Sequence, residues 1–172
     1  KLGGSLVLVA LAPFMAKMGI SAGGNLAKLV AVGPALLLQE FGNLGTILIS
    51  LPLALLLGLK KEAIGACYSI NRDSNLGLTT DIFGPDAPET RGTFAVYIVG
   101  SVIGTVFISI LASIVASWHI FDPIALGMAC GVGSGSMMTA AAGTLGEIYP
   151  QQAESIMIMG GASDMLTGIT GI

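Results

Sequence analysis

The sequence predicts an all-α integral membrane fold, and three observations carry that prediction. The chain of 172 residues is 53% hydrophobic, with a mean hydropathy of +0.88. Charged residues make up 10%, against roughly 25% in a soluble domain. Glycine occurs 25 times, a share that suits closely packed membrane helices. At roughly 20 residues per span the length allows about seven segments, read as a single transmembrane domain over residues 1–172.

Segment one covers Gly3–Ala16 and reads as a retained span, although its charged start at Lys1 also fits a signal peptide. Segment two, Asn25–Glu40, is short and contains Pro34, and Glu40 marks its turn into segment three, Asn43–Leu59. Segment four, Ala63–Gly84, encloses the polar run Ser69-Ile70-Asn71-Arg72-Asp73-Ser74-Asn75. Segment five, Thr93–Trp118, is the longest and cleanest. At 1.5 Å per residue it spans about 39 Å, longer than a bilayer core of roughly 30 Å. Its Gly100/Gly104 and Ala112/Ala116 pairs offer small-residue faces to neighbouring helices. Segment six, Ile124–Gly143, contains Gly131-Val132-Gly133-Ser134-Gly135-Ser136, and segment seven runs from Ala153 to the end and carries Asp164. The chain starts without methionine and stops inside an apolar run, as a piece of a longer protein would.

Lysine placement sets the expected orientation. Lys17, Lys28, Lys60 and Lys61 fall on one side if every segment crosses. Asp81, Asp86, Glu89, Arg91, Glu147 and Glu154 fall on the other. Segment two decides the parity, because a half-helix there inverts everything after it.

Two of these segments are interrupted, and the interruptions are the candidate working centre. Backbone that leaves the helix at membrane depth survives only where it is buried in protein or lines a watery site. In segment four, Asn71 and Arg72 are candidates to hold an anionic group and Asp73 a cation or proton, since charges at that depth are costly unless paired or solvated. The bland alternative is a loop between half-length segments that dips to the interface. In segment six, Gly131, Gly133 and Gly135 break the helix, and Ser134, Ser136 and Thr139 supply hydroxyls. Bare amides of a broken helix attract carboxylates, and bare carbonyls coordinate sodium. The alternative there is a glycine-rich packing face. Asp164 reads as a proton or cation site, or else as a residue reaching water near a segment end.

Other chemistry is thinly represented. Cys67 and Cys130 read as buried free thiols, His119 beside Trp118 as an interfacial residue, and the methionines from Met128 onward as adaptable packing. No zinc spacing, nucleophile elbow, P-loop or complete dinucleotide fingerprint occurs in the sequence, so no enzymatic site and no cofactor is expected. No basic patch points to nucleic acid. Ala63-Ile64-Gly65-Ala66-Cys67 echoes Ala125-Leu126-Gly127-Met128-Ala129-Cys130, a match short enough for compositional bias to produce.

Taken together, Gly65-Ala66-Cys67-Tyr68-Ser69, Asp81-Ile82-Phe83-Gly84-Pro85, the long helix, Gly133-Ser134-Gly135-Ser136-Met137-Met138 and Gly160-Gly161 resemble the C-terminal half of bacterial lysine exporters. The wider superfamily also holds cation–proton antiporters, anion transporters and uncharacterised families. The resemblance covers residues 63–172, with residues 1–62 as preceding helices. It implies one half of an inverted-repeat transporter fold in a bacterial inner membrane. Segment six would be the crossing broken helix, its symmetry partner lying upstream of this chain. Asn71-Arg72-Asp73 is more charged than that family suggests, and it favours a solute bearing a carboxylate. The expectation is a secondary active transporter of a small carboxylate or amino acid, coupled to sodium or protons and working by alternating access. A channel with a re-entrant filter and a non-transporting membrane subunit stay open as alternatives. The expected partners are the lipid bilayer and the solute, with a homo-oligomer also open.

Overall fold

The computed structural model describes residues 33–68 and 72–170, with isolated positions 13, 16, 20 and 30 before them; the side chains at 39, 40, 43, 73, 169 and 170 fall outside that description. Segment one and the first part of segment two therefore lie outside the described residues, apart from those isolated positions. Among the described residues all regular structure is helical.

The first helix, α1, is Gly33–Leu56. It corrects the expectation of a turn at Glu40, because residues on both sides of that position belong to one helix. A glycine inside a helix costs only about 1 kcal/mol, so Gly42 does not end it. Pro34 lies in the first turn, where a missing N–H costs nothing.

The next three helices form one unit. The half-helix α2, Glu62–Ala66, ends at Cys67 (φ −112°, ψ 74°), and α3 starts at Arg72 and runs to Phe83. The interruption is therefore narrower than the expected Ser69–Asn75: Arg72, Asp73, Ser74 and Asn75 are helical, while Ser69, Ile70 and Asn71 lie outside the described residues. Short polar side chains favour the first turn of a helix as readily as a loop. Gly84, in left-handed backbone (φ 88°), closes α3 by donating its N–H to Thr80 O at 3.0 Å. Helix α4, Pro88–Val99, begins five residues earlier than the sequence suggests, with Pro88 and Glu89 in the first-turn positions such residues prefer. A π-helical turn, Gly100–Gly104, joins α4 to α5, Thr105–Ser117.

A second unit repeats that order. Half-helix α6 is Pro123–Cys130, α7 is Gly135–Ile148, a 3₁₀ turn covers Pro150–Gln152, and α8 is Ala153–Thr170. Here the interruption is Gly131–Ser134, so Gly135 and Ser136 are helical rather than part of the break. Asp122 caps α6, its Oδ1 accepting from Ile124 N at 2.8 Å and Ala125 N at 3.3 Å. Asp122→Ala is expected to cost about 1 kcal/mol, read as a fall in Tm of about 2–4 °C, with Asp122→Asn close to wild type. Equal losses in both variants would rule out the capping role.

Glycines set the packing in both units. A Cβ at Gly65 would overlap Glu89 O, and one at Gly92 would overlap Glu62 O, so α2 and α4 cross backbone to backbone. A Cβ at Gly127 would lie 2.8 Å from Ile156 O, and one at Gly131 would overlap Gly160 O, which gives α6 and α8 the same relation. The sequence echo Ala63–Cys67 and Ala125–Cys130 thus falls on the two half-helices that make these crossings.

Polar side chains fasten α3 to α4. Asn75 Nδ2 donates to Gly65 O at 3.2 Å and to Thr93 Oγ1 at 3.4 Å, and Thr90 Oγ1 donates to Thr79 O at 3.0 Å. All four of these side chains are buried, and each is satisfied. The apolar core lies around α7, where Met138, Ala141, Ala142 and Leu145 pack with Ile156 of α8, Ala116 of α5 and Cys130 of α6.

One helix among the described residues is long and apolar enough to cross a membrane. It is the continuous Pro88–Ser117, 30 residues with a mean hydropathy of 2.4 in its most apolar window. No part of that window is buried inside the protein. Val102, Ile103, Val106, Phe107 and Ile110 face outward along it, as do Leu38, Phe41, Leu48 and Ile49 along α1.

Candidate functional site

The two interruptions meet at Arg72. As the first residue of α3, Arg72 donates its backbone N–H to Gly133 O, in the other break, at 3.1 Å. That carbonyl is available because Gly133 takes φ 120°, backbone that disfavours any side chain. The guanidinium continues into the same break. Its Nη2 donates to Ser134 Oγ at 2.5 Å and to Ser136 Oγ at 3.2 Å. Its Nη1 donates to Tyr97 O at 3.4 Å, and Cζ lies 5.9 Å from the centroid of the Tyr97 ring. That contact is within cation–π range.

Only 5% of Arg72 is exposed, and its Nε is buried with no hydrogen-bond partner. Among the described side chains no carboxylate approaches the guanidinium; its partners are two hydroxyls and one carbonyl. A buried cation without an anion is expensive. The helix end adds further positive character. Ser134 occupies the N-cap of α7 in extended backbone, yet its side chain makes no cap bond, since it is turned to Arg72. The first turn of α7 contains no acidic residue. A helix N-terminus carries roughly half a positive charge, so the positive end of α7 and a guanidinium share one buried spot.

The expected site residues separate into groups. Arg72, Ser134 and Ser136 are brought into direct contact, with the two hydroxyls 3.0 Å apart; Ser134 is buried and Ser136 is exposed. Gly131 and Gly133 lie in the break, and Gly135 opens α7. Thr139 is one turn away, its Oγ1 donating to Gly135 O at 2.7 Å rather than reaching the guanidinium. Asn71 and the Asp73 side chain lie outside the described residues. Asp164 is buried on α8. The α8 stretch that contains it runs from the contact of Gly160 and Ser163 with Gly131 to Gly168, whose Cβ position is 4.0 Å from Ser74 Oγ of α3.

Two contributors to the site carry no signal that sequence reading weighs: Tyr97 and Gly100. Gly100 belongs to a small-residue pair expected to admit a neighbouring helix. What it admits is the Arg72 guanidinium, which a Cβ there would overlap, while Gly104 faces Met137.

A buried guanidinium, the two breaks and the hydroxyls of Ser134 and Ser136 thus meet at one point. The family described as "Protein of unknown function (DUF3100)" matches residues 1–172, and the chain belongs to it. No curated protein and no solved structure matches the chain.

Proposed function

We propose that the chain belongs to a multi-pass membrane protein that carries a small solute with a carboxylate group across the bacterial inner membrane. One observation carries the reading: Arg72 is buried where two interrupted helices touch, and no described carboxylate balances it. A carboxylate is the natural complement of a guanidinium, which it can meet with two parallel hydrogen bonds. The unpartnered Nε is one donor for such a pair, and Ser136 is the exposed residue of the cluster, the one a solute would meet first.

The membrane assignment rests on the outward apolar faces of α1 and of Pro88–Ser117. Charge placement agrees with crossing helices. Lys60 and Lys61 precede α2, the acidic Asp81, Asp86 and Glu89 flank the α3–α4 turn, and Glu147 and Glu154 flank the α7–α8 turn. If each unit crosses, the two acidic turns fall on one side and Lys60 and Lys61 on the other, whatever residues before α1 do. Lysines on the cytoplasmic side give the orientation.

In this reading the protein is a secondary transporter of the kind suggested by its resemblance to lysine exporters, not an enzyme. Asp73 or Asp164 supplies the site for a coupling sodium ion or proton, and alternating access moves one unit against the other. The test is a thermal-shift screen of the full-length detergent-purified protein with small carboxylates and amino acids, with and without sodium, followed by uptake into proteoliposomes. A carboxylate at a hundred times its Kd is expected to stabilise by about 2.7 kcal/mol. No shift with any carboxylate, or saturating shifts that Arg72→Met leaves intact, would overturn the reading.

A further inference from the structure

The long helix is not a plain span, because its π-helical turn starts where Arg72 arrives. The geometry points to Gly100 as the residue that seats the Arg72 guanidinium and so sets the carboxylate-binding capacity of the site. The last clause of that statement rests on the proposed solute; the seating does not. Three contacts define the seat. Tyr97 O accepts from Nη1, the Tyr97 ring faces Cζ, and the missing side chain of Gly100 leaves the volume that Nη1 fills. A β-carbon at Gly100 would overlap Nη1 and lie 3.1 Å from Cζ and 3.6 Å from Cδ. Those atoms cannot all retreat. Nη2 is bound to Ser134 and Ser136, and the backbone of Arg72 is bound to Gly133.

The π turn fits the same role. It inserts one residue into the helix and rotates the following face by about 100°. Residues before and after the insertion can then serve different neighbours. Tyr97 and Gly100 meet Arg72 of α3, and Gly104 meets Met137 of α7, with Cβ-to-Sδ spacing of 3.3 Å. Gly104 is thus the internal comparison: its obstacle is the end of a flexible methionine, whereas the obstacle at Gly100 is a tethered guanidinium. Gly100 is a positioning residue, acting through Arg72.

The test is arginine labelling of the full-length protein with phenylglyoxal, read by mass spectrometry at the chain's two arginines, Arg72 and Arg91. Arg91 is exposed and reports reagent access in every sample. In wild type, Arg72 is expected to be protected. In Gly100→Ala its labelling should rise several-fold, while Gly104→Ala should leave it protected. Protection unchanged in folded Gly100→Ala, or lost equally in Gly104→Ala, would overturn the assignment. If Gly100→Ala does not fold, the pair Gly100→Ala/Arg72→Ala decides. Removing the guanidinium should restore folding, and failure of the pair beside a well-folded Arg72→Ala would refute the seat. Exposure of Arg72 in Gly100→Ala without any carboxylate-induced shift in wild type would uphold the seat and reject the solute.

Discussion

Arg72→Met is expected to abolish solute binding while leaving the protein as stable as wild type or more so. The two effects have opposite signs because the guanidinium does little for the fold. Each of its hydrogen-bond partners has another. Tyr97 O also accepts from Ser101 Oγ at 2.7 Å, and the Ser134 and Ser136 hydroxyls lie 3.0 Å from one another. Removing Arg72 therefore strands no buried acceptor, and stranded acceptors are what usually make such truncations destabilising. What is lost is a buried charge without a described anion. Replacing a whole buried ion pair with apolar groups of similar volume is often neutral or stabilising by about 1–4 kcal/mol, and a guanidinium held only by hydroxyls and a carbonyl bears the same desolvation cost with less Coulombic return.

For Arg72→Met the expected change in Tm is therefore zero to a rise of several degrees, at about 2–4 °C per kcal/mol. Uptake should fall by a factor of about 100 or more, since charged hydrogen bonds of about 1.5–3 kcal/mol each would be lost. Arg72→Lys should recover little, because an ammonium cannot offer the planar fork. A fall in Tm of more than a few degrees in Arg72→Met would show that the arginine is structural. Wild-type uptake in the same variant would remove it from the transport site. Residues kept for function at a cost to stability behave in this opposed way.

Legibility in the sequence follows the range over which each signal acts. Helix type, the existence of a long apolar helix (expected over Thr93–Trp118, found over Pro88–Ser117) and the break before Gly135 are local matters, set by hydropathy and by glycine. A charge amid apolar segments also singles out Arg72, which the structure buries against Ser134 and Ser136. Local signals failed where polarity stood in for backbone shape. Ser74 and Asn75 look like a loop but form the first turn of α3, where Asn75 satisfies the carbonyl of Gly65. Glu40 looks like a turn between two segments, yet one helix continues through that position. Pairings between distant residues left no mark. Nothing at Gly100 states that its neighbour is a guanidinium 28 residues earlier rather than a helix, and nothing at Tyr97 announces a carbonyl turned to a cation. Such contacts arise only once α3 and α7 have been brought to the same point.

Gly131→Ala is expected to be the most damaging single-methyl change at the breaks, and the comparison with its neighbours separates steric from backbone effects. A Cβ at Gly131 would overlap Gly160 O and Ser163 Cβ and would lie 2.6 Å from Ser163 Oγ. Two of these atoms cannot swing away, because one is main chain and the other is the first atom of a fully buried side chain. Nor can α8 shift locally, since it is pinned one turn back where Gly127 meets Ile156. Overpacking of this kind costs about 3 kcal/mol or more when backbone must move. Gly133→Ala meets open space but forces an alanine to φ 120°, a strain of about 1–3 kcal/mol. Gly143→Ala meets open space inside α7 and should stabilise by about 0.5–1 kcal/mol. The expected order of Tm is Gly143→Ala above wild type, then Gly133→Ala, then Gly131→Ala. The last displaces the stretch of α8 that holds Ser163 and Asp164, so any sodium or proton dependence of uptake should weaken in it before solute binding at Arg72 does. A Gly131→Ala protein with wild-type Tm and ion dependence would mean that α6 and α8 do not touch here, and the link between the break and Asp164 would be lost with that contact.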